Sequence, residues 1–440
     1  MDSPVQLKVE LAISGLRLAP ELAAEPALFP GTTTPAITGG DVELLLADDV
    51  IARCPVETSA ARRSRYELRT ENDRFFVAQV DSTGAITEQV NVGVLAPPAF
   101  LLSRTTSGRA MHEIGTVHAG YVSIDLTASC GFAEREGHCA FCPRRTAPAP
   151  APAPDRAATG PPAVEDVLEV IRAAFAEGAA EFVYFNVGFS ETSTREDKSQ
   201  DDDGDNSEDG GFGVIEPYVS AVKREFDTLV AVQGYPPENH RWIDRIYAAG
   251  VDALSYAIYI HDAKRLDEAC PGRAKRIPSD RYYEALEYAA RIFPSGTVWS
   301  DLRIGMESED STRDGIDRLT GMGVLPILSL SPSLDVTGST DDTIDRDRSV
   351  IEPGKIAPLY AHLYQSVREA RINVQHMRDL GYAITPMEAR FFAGEDAKLD
   401  VAVSTFYRSR LGSRAVRGLS KLRRRLRVRR VRESFDSSQL

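Results

Sequence analysis

Between residues 121 and 333, apolar β-branched runs alternate with segments of helical periodicity. The runs are "YVSIDLTAS", "EFVYFNV", "LVAVQGY", "ALSYAIYI", "TVWSDLRIG" and "LPILSLSPS". Between them, "AVEDVLEVIRAAFAEGAA", "NHRWIDRIYAAG", "SDRYYEALEYAARIF" and "DSTRDGIDRLTGMG" repeat their apolar positions at helical spacing. Short continuous apolar runs read as buried strands and the periodic segments as helices that cover them, so the pattern predicts βα units and a parallel sheet. Gly178, Gly250 and Gly323 each fall just before a strand, where the cap that ends a helix belongs. Six units predict an α/β fold, a partial (β/α)6 TIM-like barrel over 116–395. A doubly wound open sheet shares this periodicity, and in either case the loops at the C-terminal strand ends carry the chemistry.

The flanks lack the alternation. Residues 1–115 read as a mixed α/β accessory region, with candidate strands in "DVELLLADD", "RYELRT" and "RFFVAQV". Two stretches read as flexible inserts in the barrel: 144–162, rich in Pro and Ala, and 194–211, acidic and nearly free of apolar side chains. The second lacks the ligand spacing of a calcium loop and reads as solvated. Residues 356–380 predict one more long helix, and "GYAITPMEARFF" a further strand or an extended closing segment. A basic tail occupies 396–440.

At 440 residues and 42% hydrophobic, the chain can bury a core without disulfides. Its net charge of −14 hides an asymmetry, because residues 408–432 hold twelve Lys/Arg and no acid, leaving a strongly acidic body. Such a body disfavours nucleic acid and suits a salty solvent. No secretory signal and no apolar run of membrane-spanning length, about 18 residues, is present, so a cytoplasmic location is expected. Leu411, Ala415, Leu419, Leu422 and Leu426 fall at helical spacing in the tail. That spacing allows a cationic amphipathic helix against anionic lipid, RNA or the acidic body, but a solubilising tail is the simpler reading, and neither membrane nor nucleic-acid contact is favoured.

Three of the five cysteines, Cys130, Cys139 and Cys142, cluster in "SCGFAEREGHCAFCP", on the loop after the first barrel strand. In a reducing compartment, crowded thiols point to metal ligation or catalysis rather than to disulfides. Structural zinc needs a fourth ligand, such as His118 or His138. A [4Fe–4S] cube on three cysteines leaves one iron open to a substrate or cofactor, and the odd count favours it.

With an aromatic just before its last cysteine, the segment resembles the cluster loop of the radical S-adenosylmethionine (SAM) superfamily. The usual C-x3-C-x2-C is here C-x8-C-x2-C, and the longer first gap resembles that of a subgroup related to biotin synthase. "NVGFSE" (186–191) resembles the superfamily's Gly-Gly-Glu motif and "SDLRIGMESED" (300–310) its G-x-I-x-G-x-x-E pattern. The likeness spans roughly residues 90–395. It implies a [4Fe–4S] cluster on Cys130, Cys139 and Cys142, with SAM on the open iron. It also implies that Phe141 lies against adenine, that Gly188, Ser190 and Glu191 bind the methionine end, and that Arg303 pairs with the SAM carboxylate. Glu307 falls in the pattern that packs near adenine and ribose, and Ser255 and Tyr259 are placed for ribose or substrate. Core roles remain open for Phe141 and Tyr259, and a capping role for Glu307.

The implied activity is reductive cleavage of SAM to a 5′-deoxyadenosyl radical that takes hydrogen from a small-molecule substrate, with electrons from a donor such as ferredoxin or flavodoxin. Only Cys54 and Cys270 remain, too few for the auxiliary cluster of sulfur-inserting relatives, so rearrangement, fragmentation or oxidation is the expected outcome. The competing readings are a zinc-stabilised nucleic-acid-binding protein that uses the Arg-rich tail and a degenerate barrel that binds SAM without turnover.

Overall fold

The computed structural model describes residues 3–23, 41–56, 58–118, 120–126, 132, 137, 139–141, 161–189, 209–330, 353–374, 383–394, 417–418, 421–422 and 424. The chain opens with α1 (Pro4–Ser14), which starts where the Ser3 hydroxyl accepts the Gln6 N–H and Pro4 supplies a preset φ. There follow β1 (Arg17–Leu18), α2 (Pro20–Ala23), β2 (Asp41–Leu45), β3 (Ile51–Pro55), α3 (Ser59–Arg62), β4 (Tyr66–Glu71), β5 (Arg74–Val80) and β6 (Ile86–Leu95). The three candidate strands of this region correspond to β2, β4 and β5. They join a six-stranded sheet of order β1-β4-β5-β6-β2-β3, antiparallel except for β1 beside β4. Alternation sets its inner face: Val42 and Leu44 on β2 are buried between half-buried neighbours.

A second sheet holds β7 (Gly115–His118), β8 (Tyr121–Asp125), β9 (Phe182–Asn186), β10 (Leu229–Gly234), β11 (Ala253–Tyr256), β12 (Val298–Ile304), β13 (Leu325–Leu330) and β14 (Ala383–Ile384). The intervening helices are α4 (Val164–Ala176), α5 (Phe212–Glu225), α6 (Arg241–Ala249), α7 (Ala263–Ala269), α8 (Pro271–Arg276), α9 (Ser279–Ile292), α10 (Glu309–Gly321) and α11 (Pro353–Glu369), with α12 (Pro386–Ala389) after β14. The six apolar runs are β8 to β13, all parallel, with β7 and β14 antiparallel at the two edges.

The strands lie in chain order across this sheet. Right-handed crossovers in an unreversed order put their helices on one face, whereas a doubly wound sheet reverses order at a switch point. The doubly wound alternative is therefore set aside. The sheet is also curled: Tyr184 on β9 and Trp299 on β12 are three strand spacings apart, roughly 14 Å in a flat sheet, yet their ring centroids lie 6.3 Å apart. The result is a mixed α/β fold whose parallel sheet forms an open half-barrel.

Gly178, Gly250 and Gly323 take φ of 69°, 126° and 78°, the left-handed region a helix-ending glycine supplies. Asp209, assigned to the acidic insert, instead starts α5 by accepting the N–H groups of Gly211 and Gly213, each at 2.8 Å. The helix expected over 356–380 runs from Pro353 to Glu369, and Arg371 beyond it has φ 54°. "GYAITPMEARFF" yields a strand of two residues, because Thr385 and Glu388 form a capping box that turns the chain into α12. Buried Lys8 of α1 pairs with Glu388 of that box at 2.8 Å, so the first and last helices of the body are joined. Residues 144–160 and 194–208 of the inserts lie outside the described residues. No helix among the described residues is long and apolar enough to cross a membrane.

Candidate functional site

The described residues of the cysteine loop, 132, 137 and 139–141, lie on the C-terminal rim of the half-barrel and are held at two places. Phe132 stacks on Phe189, which follows Gly188 at the end of β9, with centroids 4.1 Å apart, and both rings meet Tyr235, past β10, edge-on at 5.5 Å. On the other side, the Ala140 N–H donates to the Ala269 carbonyl at 2.7 Å, and Gly137 meets Gly272 backbone to backbone. Cys130, Cys142, Ser190 and Glu191 lie outside the described residues. Cys139 is described, and its thiol hydrogen-bonds that of Cys270 at the junction of α7 and α8. That bond, aided by the guanidiniums of Arg273 and Arg303 and opposed by burial, holds the Cys139 thiol below its ordinary range. Cys270 is pushed up by the same bond and keeps its proton.

Beside the loop, Tyr259 adopts a backbone conformation rare for a large side chain, φ 65°. The Ser300 hydroxyl accepts the Ile258 N–H and donates to the Tyr256 carbonyl, both at 3.0 Å, prising the end of β11 away from β12. Contact resumes where the Tyr259 N–H donates to the Asp301 carbonyl (2.7 Å) and the Arg303 N–H to the Tyr259 carbonyl (2.8 Å). Holding a tyrosine in this region costs on the order of 1–3 kcal/mol. The conformation carries its ring between two guanidiniums, Arg273 at 4.8 Å and Arg303 at 5.6 Å, and edge-on to Phe141 at 5.1 Å. Arg303 in turn covers Phe141 at 4.4 Å. Phe141, Cys139, Tyr259 and Arg303 are thus brought together.

Arg273 is the least expected member. It is 4% exposed, lies against the rings of Tyr235, Tyr259 and Tyr282, and donates to the Ala257 carbonyl. Among the described residues its Nε has no hydrogen-bond partner and it makes no ion pair. A buried guanidinium without a counter-ion costs several kcal/mol, so an anion beside it would be strongly favoured. The rim therefore presents a thiol next to a desolvated, electropositive guanidinium.

Below the rim, the concave face carries polar groups among aromatic rings. Trp299, Asp301 and Arg303 alternate on β12 and so share that face. The Tyr184 hydroxyl donates to the Gln233 side-chain oxygen, and the Gln233 amide reaches the Tyr259 hydroxyl at 3.4 Å. Ser255, in register with Gln233 and Trp299, is fully buried and its Oγ has no partner among the described residues. Burial lifts the Asp301 carboxyl from 3.8 to about 7, against the lowering pull of Arg303 and Arg273. Glu307 stands apart. Its carboxylate accepts the N–H groups of His261 (3.1 Å) and Asp262 (2.8 Å) and the Ser311 hydroxyl (2.7 Å), tying the entry of α7 to that of α10. The cap of α10 is Ser308.

Sequence reading passed over Arg273, Asp301 and the aromatic anchors. A charge at an alternate position of an otherwise apolar strand, as in "SDLRIG", is a usable signal for Asp301. Arg273 has none, because the three rings that cage it come from three separate elements.

No family model matches the chain. A curated relative, bacteriochlorophyllide c C-7(1)-hydroxylase of Chlorobaculum limnaeum, is 24% identical over 93 residues, covering 21% of this chain and 23% of that protein. Among solved structures, Streptococcus suis SuiB bound to S-adenosylmethionine aligns with TM-score 0.37 and 10% identity, over 60% of this chain and 47% of that one. A radical SAM methyltransferase from Sphaerobacter thermophilus aligns with TM-score 0.33 and 12% identity, over 70% and 76%. TsrM of Kitasatospora setae, a radical SAM methyltransferase with cobalamin and a [4Fe–4S] cluster bound, gives 0.31 and 13%, over 64% and 44%. The chain thus spans less than half the length of SuiB and TsrM, and about a quarter of the curated relative.

Proposed function

We propose that this chain is a radical SAM enzyme that holds a [4Fe–4S] cluster on Cys130, Cys139 and Cys142 and acts on a small molecule. The observation that carries this reading is Cys139 on the rim, with the guanidiniums of Arg303 and of buried Arg273 beside it, the latter making no ion pair with any described residue. Three thiolates on an iron–sulfide cube form an anion, and SAM adds a carboxylate, so the donor set and the positive charge beside Cys139 agree. When bound, the cluster and SAM supply one-electron cleavage to a 5′-deoxyadenosyl radical, which takes hydrogen from an unactivated carbon. The chain's own residues bind and orient: Arg303 and Arg273 hold negative charge at the rim, Phe141 and Tyr259 offer ring faces, and Gly188, Ser190 and Glu191 receive the methionine end. Ser255, Gln233 and Asp301 meet the substrate within the curl.

Within the superfamily, the long first gap of the cysteine motif favours the biotin-synthase-related subgroup. Cys54 is buried in the N-terminal sheet and Cys270 lies on the rim, so the two are not grouped for a second cluster, which argues against sulfur insertion. Rearrangement, fragmentation or oxidation is favoured, and hydroxylation, the activity in the curated relative's name, is one such oxidation. A cytoplasmic setting with a ferredoxin or flavodoxin as donor completes the reading. The nucleic-acid alternative is not favoured, since Arg417, Lys421 and Arg424 of the tail face acids of the body. Anaerobic reconstitution with iron and sulfide, followed by SAM and dithionite, should yield a brown protein that forms 5′-deoxyadenosine. Alanine at Cys130, Cys139 or Cys142 should abolish both bound iron and the nucleoside, and full iron loading after all three replacements would sink the proposal.

A further inference from the structure

Cys270 lies outside the cysteine motif, yet three contacts press its segment onto the loop. The Ala140 N–H donates to the Ala269 carbonyl at 2.7 Å. Gly137 and Gly272 touch so closely that a Cβ on the first would lie 2.6 Å from the Gly272 Cα, and one on the second 2.8 Å from the Gly137 Cα. Phe141, Ile260, Leu266, Ala269 and Cys270 form one small apolar core against which Cys139 packs. These contacts set the Cys270 thiol in a hydrogen bond with Cys139, and because a sulfur that ligates a cluster carries no proton, Cys270 is the donor of that bond.

We propose that Cys270 is a positioning residue whose S–H donates a hydrogen bond to the Cys139 sulfur of the cluster and raises the cluster's reduction potential, an inference that rests on the radical SAM reading above. Reduction adds one electron to the cube, and part of the added charge falls on the ligand sulfurs. A donor aimed at one of them stabilises the reduced form more than the oxidised one. The bond is sheltered by the apolar core, where competition from water is weak.

The test compares full-length wild type with Cys270→Ala and Cys270→Ser, all reconstituted anaerobically. Iron and sulfide content is assayed, and the cluster midpoint is read from an EPR-monitored redox titration without SAM. Iron content equal to wild type is expected in both variants. The midpoint should shift to more negative potential in Cys270→Ala and stay nearer wild type in Cys270→Ser, whose hydroxyl can still donate. An unchanged midpoint in Cys270→Ala overturns the inference. So does loss of iron in either variant, which would make Cys270 a ligand or a prop of the loop. If wild type itself takes up no cluster, the reading of the whole chain falls, a result distinct from either of these.

Discussion

At Asp301 two opposing effects can be weighed directly. Arg303 and Arg273 pull its pKa down, burial pushes it up, and burial wins, carrying it from 3.8 to about 7. An aspartate in the unfolded chain ionises near the lower value, so between the two the folded state holds a proton that the unfolded state has lost. Stability therefore falls as pH rises from about 4 to about 7 and levels off beyond, by at most about 4 kcal/mol for this group. Asp301→Asn keeps the shape and removes the charge. In iron-free protein, the urea midpoint of the variant relative to wild type should rise across that window and hold its gain above pH 7. A difference independent of pH would mean that Asp301 titrates like a surface acid.

The cysteine loop and α8 depend on each other through a pair of glycines whose neighbours are backbone and cannot swing aside. Gly272→Ala or Gly137→Ala should thus cost about 1–3 kcal/mol of overpacking, taken up by displacement of the loop. Bound iron should drop sharply while the far-UV circular dichroism of the barrel stays unchanged; full iron in both variants would contradict the docking. The strands were legible in advance because a buried strand writes itself locally as an apolar run, as in "ALSYAIYI", and the βα alternation carried the parallel order with it. The docking was not legible. Helices α7 and α8 span seven and six residues, too short for a helical period to show, so "EACPGR" reads as a turn. The stacking of Phe132 on Phe189, and the meeting of Tyr184 with Trp299, depend on how far the sheet curls, which no single strand encodes. The spacing of the three cysteines and the resemblance pointed to Cys139 and Arg303, which the structure brings together, whereas Arg273 became apparent only once the rim had closed.

Across the whole molecule, a net charge of −14 is divided between an acidic body and a basic tail, and the described tail residues engage the body at two unequal places. Arg424 is largely buried and donates to the carbonyls of Tyr247 and Val251, each at 3.2 Å, and to Asp252 at 2.6 Å. It thereby satisfies the C-terminal end of α6, where a cation is also favoured by the helix dipole. Lys421 meets Asp227 at 2.5 Å, but that carboxylate is 63% exposed. Buried, multiply bonded cations resist salt and exposed pairs do not. Arg424→Ala should lower stability by about 1–3 kcal/mol at both low and high salt, because three hydrogen bonds are lost, although the Tyr247 carbonyl keeps the Gly250 N–H and Asp252 keeps Lys223. Lys421→Ala should cost under about 1 kcal/mol, and less in concentrated salt. Equal, small and salt-sensitive losses in urea titrations of both variants would mean that the tail merely hovers over the acidic body. A persistent loss at Arg424 alone would mean that the tail is docked there, and that any anionic partner must first displace it from Asp252.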